Sequence, residues 1–127
     1  MGRAEVHAEM KEMFGTVIGF IDRVPDEYID AEWELTKRLQ FGETLIPNKH
    51  KEMIGLGISA ATRCRYCTLF HTEAAKLFGA SEAEIEESVH YGKLVTGWSH
   101  YLNGLRVDEE DFADEVRRVV EYVRSTG

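Results

Sequence analysis

Apolar residues along this chain recur at helical spacing, and the alternation of a half-buried strand holds nowhere. Met10, Met13, Phe14, Val17, Ile18 and Ile21 advance by three, one, three, one and three positions, which predicts one amphipathic helix with a continuous stripe. Pro25 ends it, because an interior proline removes a backbone hydrogen bond and collides with the preceding turn. Asp26 opens a second helix that carries Ile29, Trp33 and Leu39. Beyond Pro47 and Asn48, the segment from Lys49 to about Thr62 is apolar on most sides, through Met53, Ile54, Leu56, Ile58, Ala60 and Ala61. That is the pattern of a buried helix. Gly55 and Gly57 each cost such a helix roughly 1 kcal/mol relative to alanine, so they predict close helix approach. The next helix runs from about Cys64 to Gly79, a suitable left-handed residue at a helix end. Ser81-Glu82-Ala83-Glu84 reads as a capping box for a helix bearing Ile85, Val89, Leu94, Val95, Trp98, Leu102 and Leu105. Asp108 and its acidic neighbours start a last helix, with Phe112, Val116, Val119, Val120 and Val123. The expected fold is all-α, a single-domain helical bundle over residues 1–127 built round an antiparallel helical hairpin.

Length and charge narrow the function. A chain of 127 residues buries a core without staples. Fifteen basic against 23 acidic side chains give a net charge of −8, which argues against nucleic acid and anionic membranes as partners. No apolar run approaches a membrane span, and the start MGRAEVHAEMKEM is too charged for a secretory signal, so a cytoplasmic protein is expected. In a reducing compartment, two cysteines spaced C-x-x-C read as redox-active or metal-binding rather than as a structural disulfide. Gly55-Leu56-Gly57 is no nucleotide loop, since no strand precedes it and a third glycine is missing.

Both cysteines lie in RCRYCTLFH, residues 63–71. On a helix, Cys64, Cys67 and His71 fall at i, i+3 and i+7 and share one face. Cys64 then sits at a helix N-terminus with Arg63 and Arg65 beside it, which favours the thiolate and suits disulfide exchange. A metal site would have Cys64, Cys67 and His71 as ligands and would need His50, His90 or His100 as a fourth; with no second C-x-x-C, no metal and no cofactor are expected. Glu52 is a charge inside an apolar helix. A short connection at Thr62-Arg63 makes the two helices antiparallel, so Glu52 and His71 can meet as the orienter and base that serve a thiol. The plainer alternatives are a carboxylate at a wet helix edge, a core histidine and two cysteines packed as small apolar residues.

Glu52, Cys64-x-x-Cys67, His71, Ala74-Ala75 and Gly79-Ala80-Ser81-x-x-Glu84-Ile85 together resemble the alkyl hydroperoxidase D-like branch of the carboxymuconolactone decarboxylase family, over about Phe41 to Leu105. The resemblance implies an all-helical fold round a helical hairpin, assembled as trimers or hexamers. It also implies that Cys64 and Cys67 are a redox pair and that Glu52 and His71 relay its protons. Tyr66 stands where the hydroperoxidase members often carry histidine, and a phenol with a pKa near 10 shuttles protons poorly at neutral pH. The decarboxylase members proper generally lack the cysteine pair. The expected function is thiol–disulfide exchange, with alkyl hydroperoxide reduction as a weaker second activity and an external dithiol or protein reductant as partner. The alternatives are a cofactor-free decarboxylase or lactone-acting enzyme, and a non-catalytic assembly module. Trp33, Trp98 and Tyr101 are expected at interfaces of a homo-oligomer.

Overall fold

The computed structural model describes residues 2–127. It consists of α1 (Arg3–Phe14), α2 (Gly19–Asp22), α3 (Asp26–Leu35), a π-helical extension of α3 (Thr36–Phe41), α4 (Asn48–Ala61), α5 (Arg65–Leu77), α6 (Glu82–Leu105) and α7 (Glu109–Thr126). No strand occurs among the described residues, and none of their helices is long and apolar enough to cross a membrane.

The first stripe is broken where one helix was expected. Gly15 adopts φ 76°, and its N–H donates to the Lys11 carbonyl, which ends α1 in a left-handed turn. Val17 and Ile18 still reach the core, but from the connection, and Ile21 does so from α2. The spacing of apolar residues survives the turn, so the pattern alone did not reveal it. Val6, Met10, Ile21, Ile29 and Trp33 close this N-terminal lobe. Trp33 is completely buried, not at an interface as expected, and its indole N–H donates to Glu9 Oε2 at 2.7 Å. Lys37 reaches the same oxygen at 2.9 Å. Arg3 fastens the outside of the lobe, donating to the Asp22 carbonyl and carboxylate, the Val24 carbonyl and Asp26.

The wide turn after α3 loosens carbonyls that neighbouring side chains then satisfy. Lys51 Nζ donates to Leu39 O and Gly42 O, and Asn48 Nδ2 donates to Phe41 O. A methyl group at Gly42 would fall 2.7 Å from the Arg38 carbonyl oxygen, so the exit requires glycine.

The second core is small: Leu56, Ala75, Ala80 and Ile85, with Met53 against it. Here α4 packs on α5 and on α6. The capping box at α6 forms as expected, Ser81 Oγ accepting the Glu84 N–H and Glu84 Oε1 accepting the Ser81 N–H. Backbones approach at Gly57 and Gly92, where a Cβ on Gly92 would lie 3.5 Å from the Gly57 carbonyl oxygen. However, α4 is not buried all round. Ile54 and Ile58 are more than half exposed and, with α6, line an open groove of about 790 Å³. The last helix, α7, packs on no other described helix.

Candidate active site

Three helices of this fold end in the same way. In each, the residue two past the last turn donates back across it while the residue before adopts positive φ, a Schellman ending. At α5 the positive-φ residue is Gly79. At α4 and α6 it is Arg63 (φ 57°) and Arg106 (φ 53°), where a side chain makes the conformation costly. At α4, Cys64 N–H donates to Ser59 O and Arg63 N–H to Ala60 O, and the chain reverses at once into α5. Cys64 is therefore the N-cap of α5 and lies just outside it.

Its Sγ accepts the Cys67 N–H at 3.2 Å. Such an acceptor position at a helix start favours negative charge on sulfur. Cys64 and Cys67 are joined as a disulfide, with their Cα atoms 5.3 Å apart. A shallow cleft of about 510 Å³ lies beside Cys64, lined by Ala60, Arg63, Arg65, Thr68, Leu69 and Thr72. Tyr66 projects into solvent on the same turn, the Arg65 guanidinium over its ring at 5.3 Å.

One face of α4 carries the other half of the arrangement. Glu52 is 2% exposed, and its Oε2 lies 2.6 Å from His71 Nδ1. An ionised carboxylate only accepts, so Nδ1–H donates and Nε2 is the nitrogen left free. His71 shows about a fifth of its side chain to solvent. It is held flat on α4 by Gly55: a Cβ there would stand 2.7 Å from the ring's Cε1 and Nδ1. Phe70 meets the imidazole edge-on at 5.2 Å and is itself backed by Phe41 and Phe20. In the disulfide form no hydrogen bond joins His71 to either sulfur; the ring sits one turn beyond Cys67 on α5.

The hairpin thus brings Glu52 to His71 and Cys64 to Cys67, on neighbouring turns of one element pair. It leaves His50, His90 and His100 exposed elsewhere. Among the described residues no group of three or more His, Cys, Asp or Glu side chains is placed to hold a metal ion. Gly55, expected to admit a helix backbone, admits the His71 ring instead. The available signal was its position three residues after Glu52, hence on the same face of α4 and opposite the same partner.

Residues 28–110 match the family model described as the carboxymuconolactone decarboxylase family. The chain belongs to that family. The crystal structure of the alkylhydroperoxidase AhpD core from Rhodospirillum rubrum is similar, with a TM-score of 0.67 at 23% sequence identity, over 87% of this chain and 85% of that one. At that identity the likeness shows the fold, which is AhpD-like. No curated protein matches the chain. As a member of the carboxymuconolactone decarboxylase family, the chain has within its matched region all four residues of the hairpin arrangement, Glu52, Cys64, Cys67 and His71.

Proposed function

We propose that this carboxymuconolactone decarboxylase family member is a thiol–disulfide oxidoreductase of the cytoplasm, acting as one domain over residues 1–127. One observation carries the reading: a buried Glu52 orients His71 one turn from a cysteine pair that is already closed as a disulfide. In the reduced protein, the Cys64 thiolate attacks one sulfur of a substrate disulfide, forms a mixed disulfide and expels the first thiolate. His71 Nε2 takes the proton from Cys67, and the Cys67 sulfur attacks Cys64 Sγ, expelling the second thiolate and closing the pair. Two electrons pass from the protein dithiol to the substrate. An external dithiol restores the pair by the same exchange in reverse. Glu52 stabilises the imidazolium that forms.

A hydroperoxide is the slower substrate in this reading, because a tyrosine, Tyr66, and not a histidine precedes the second cysteine. The site needs no metal or cofactor for these steps. Mild oxidation of the reduced protein is expected to remove two titratable thiols together without covalent dimers; cross-linked dimers as the main product refute the pairing. Single-turnover rates with a small disulfide and an alkyl hydroperoxide, started from the same reduced protein, test the ranking. A protein inert to both, yet active on a lactone or a β-keto acid, belongs to the alternative chemistry.

The chain is also read as a homo-oligomer, a trimer or hexamer. It exposes 9782 Å², whereas a folded monomer of its mass exposes roughly 6,900 Å². Sedimentation at micromolar concentration tests this, and a clean monomer removes it.

A further inference from the structure

We propose that α7 is an exchanged helix, its apolar face seated in the α4–α6 groove of a second copy of this chain. The inference rests on the homo-oligomer reading and is independent of the thiol chemistry. Its first support is α7 itself. Phe112, Val116, Val119, Val120 and Val123 lie along one side, all between 41% and 59% exposed, and α7 packs on no other described helix of its own chain. Helices draw most of their stability from packing an amphipathic face, and among the described residues no other helix of its chain covers this one.

The groove is the second support. Ile54 and Ile58 of α4 and Tyr91, Leu94 and Val95 of α6 form apolar walls, all about half exposed or more. Gly57 and Gly92, where the backbones of α4 and α6 approach each other, also line it. The groove extends along α6 from Glu87 to Thr96. That is about 14 Å at helical rise, and α7, with 18 residues, spans about 27 Å. The chain does not fill its own groove. Only Arg106, Val107 and Asp108 separate the two helices, and the left-handed turn at Arg106 sends α7 away from α6.

Area is the third support. The excess over a compact monomer is roughly 2,900 Å² per chain. Two chains recovering it would bury roughly 6,000 Å², beyond a single standard contact and at the level of obligate assemblies. Each chain offers one α7 and one groove, so reciprocal exchange closes a pair, and of the two assemblies it fits the hexamer, as three such pairs.

Complementation tests this. Val116→Glu with Val120→Glu spoils the α7 face and leaves the groove intact; Ile58→Glu with Leu94→Glu spoils the groove and leaves α7 intact. All four side chains are at least 41% exposed, so both variants are expected to keep the wild-type helical circular dichroism. By sedimentation velocity each variant alone is expected to lose at least half of the wild-type mass. An equal mixture is expected to form a two-chain species, because one intact α7 then meets one intact groove. A wild-type monomer sinks both the oligomer reading and the exchange. An assembled wild type whose mixed variants gain no mass over the separate ones, or either variant keeping more than half of the wild-type mass unaided, sinks the exchange alone. Should a variant fail to fold, amide hydrogen exchange on the wild type decides: protection of α7 that disappears on dilution supports the exchange, and rapid exchange of α7 in the assembled protein overturns it.

Discussion

The two ends of this chain carry similar apolar stripes and meet opposite fates. In the N-terminal lobe the stripes of α1 and α3 face each other, and Trp33 and Met10 are sealed from solvent. At the C-terminal end, the second half of α6 and all of α7 present Trp98, Tyr101, Val119 and Val123 to solvent at more than half exposure. Polar residues follow the same division. Glu9, Asp22 and Arg3 of the lobe each satisfy two or more partners across elements. In α7 the ion pair of Arg117 with Asp114 is local to its own helix surface. The lesson is that an apolar stripe marks a face suited to burial, but not whether its own chain covers it.

The contrast breaks first at its tryptophans. Trp33→Ala is expected to cost about 3–5 kcal/mol at any protein concentration, a large part of a domain's usual margin. Trp98→Ala is expected to cost little in dilute protein and more where chains assemble. Urea unfolding at two concentrations separates them, and equal, concentration-independent losses would erase the distinction. Between the two ends lies the hairpin, where chemistry rather than stability is at stake. Glu52→Gln keeps the shape and a hydrogen bond to His71 but loses the charge, so disulfide exchange is expected to slow about 10²-fold. Its melting temperature should stay near wild type, and an unchanged rate in the folded variant removes Glu52 from the relay.

A finer cut distinguishes the two glycines of α4. A methyl group at Gly55 collides with the His71 ring at 2.7 Å, while one at Gly57 makes an ordinary 3.7 Å contact with the Ser88 carbonyl oxygen. Gly55→Ala is therefore expected to lower exchange about tenfold by displacing the imidazole, at an overpacking cost of about 1–3 kcal/mol. Gly57→Ala should leave the rate intact; paired rate and melting measurements read both. The smallest effect is acid sensitivity. Hydrogen bonds from His7 and then Arg3 hold the Asp22 carboxyl below its ordinary value, and Lys37 and then Trp33 do the same for Glu9. Lys49 and then the Ser81 N–H lower Glu84. A depressed carboxylate stabilises the fold above the ordinary carboxylate range and ceases to as pH falls through its lowered value. Melting temperature is expected to be flat above about pH 5 and to decline below about pH 4, and Asp22→Asn should soften that decline.

Much of the hairpin was legible because local chemistry set it. Ser81 and Glu84 form the expected reciprocal cap, and the short turn after Ala61 places Glu52 opposite His71. What was not legible depended on contacts distant in sequence. Nothing in the spacing of Val17 and Ile18 betrays that Gly15 has already ended α1, because residues in a loop can reach the same core. The π turn at Thr36–Phe41 has no periodic signature, since its extra residue is accommodated by Lys51 and Asn48 from the next helix. Ile54 and Ile58 looked buried because an apolar residue reads the same whether its cover comes from its own chain or from another.

The line of rings from Phe14 through Phe41 and Phe70 to His71 joins the lobe to the Glu52–His71 pair by edge contacts with centroids 4.8, 6.1 and 5.2 Å apart. An aromatic ring shifts the magnetic field at whatever lies against it. The imidazole protons of His71 therefore act as a built-in listening post: a shift of the Phe70 ring, passed on from Phe14 and Phe41 in the lobe, changes their resonance positions.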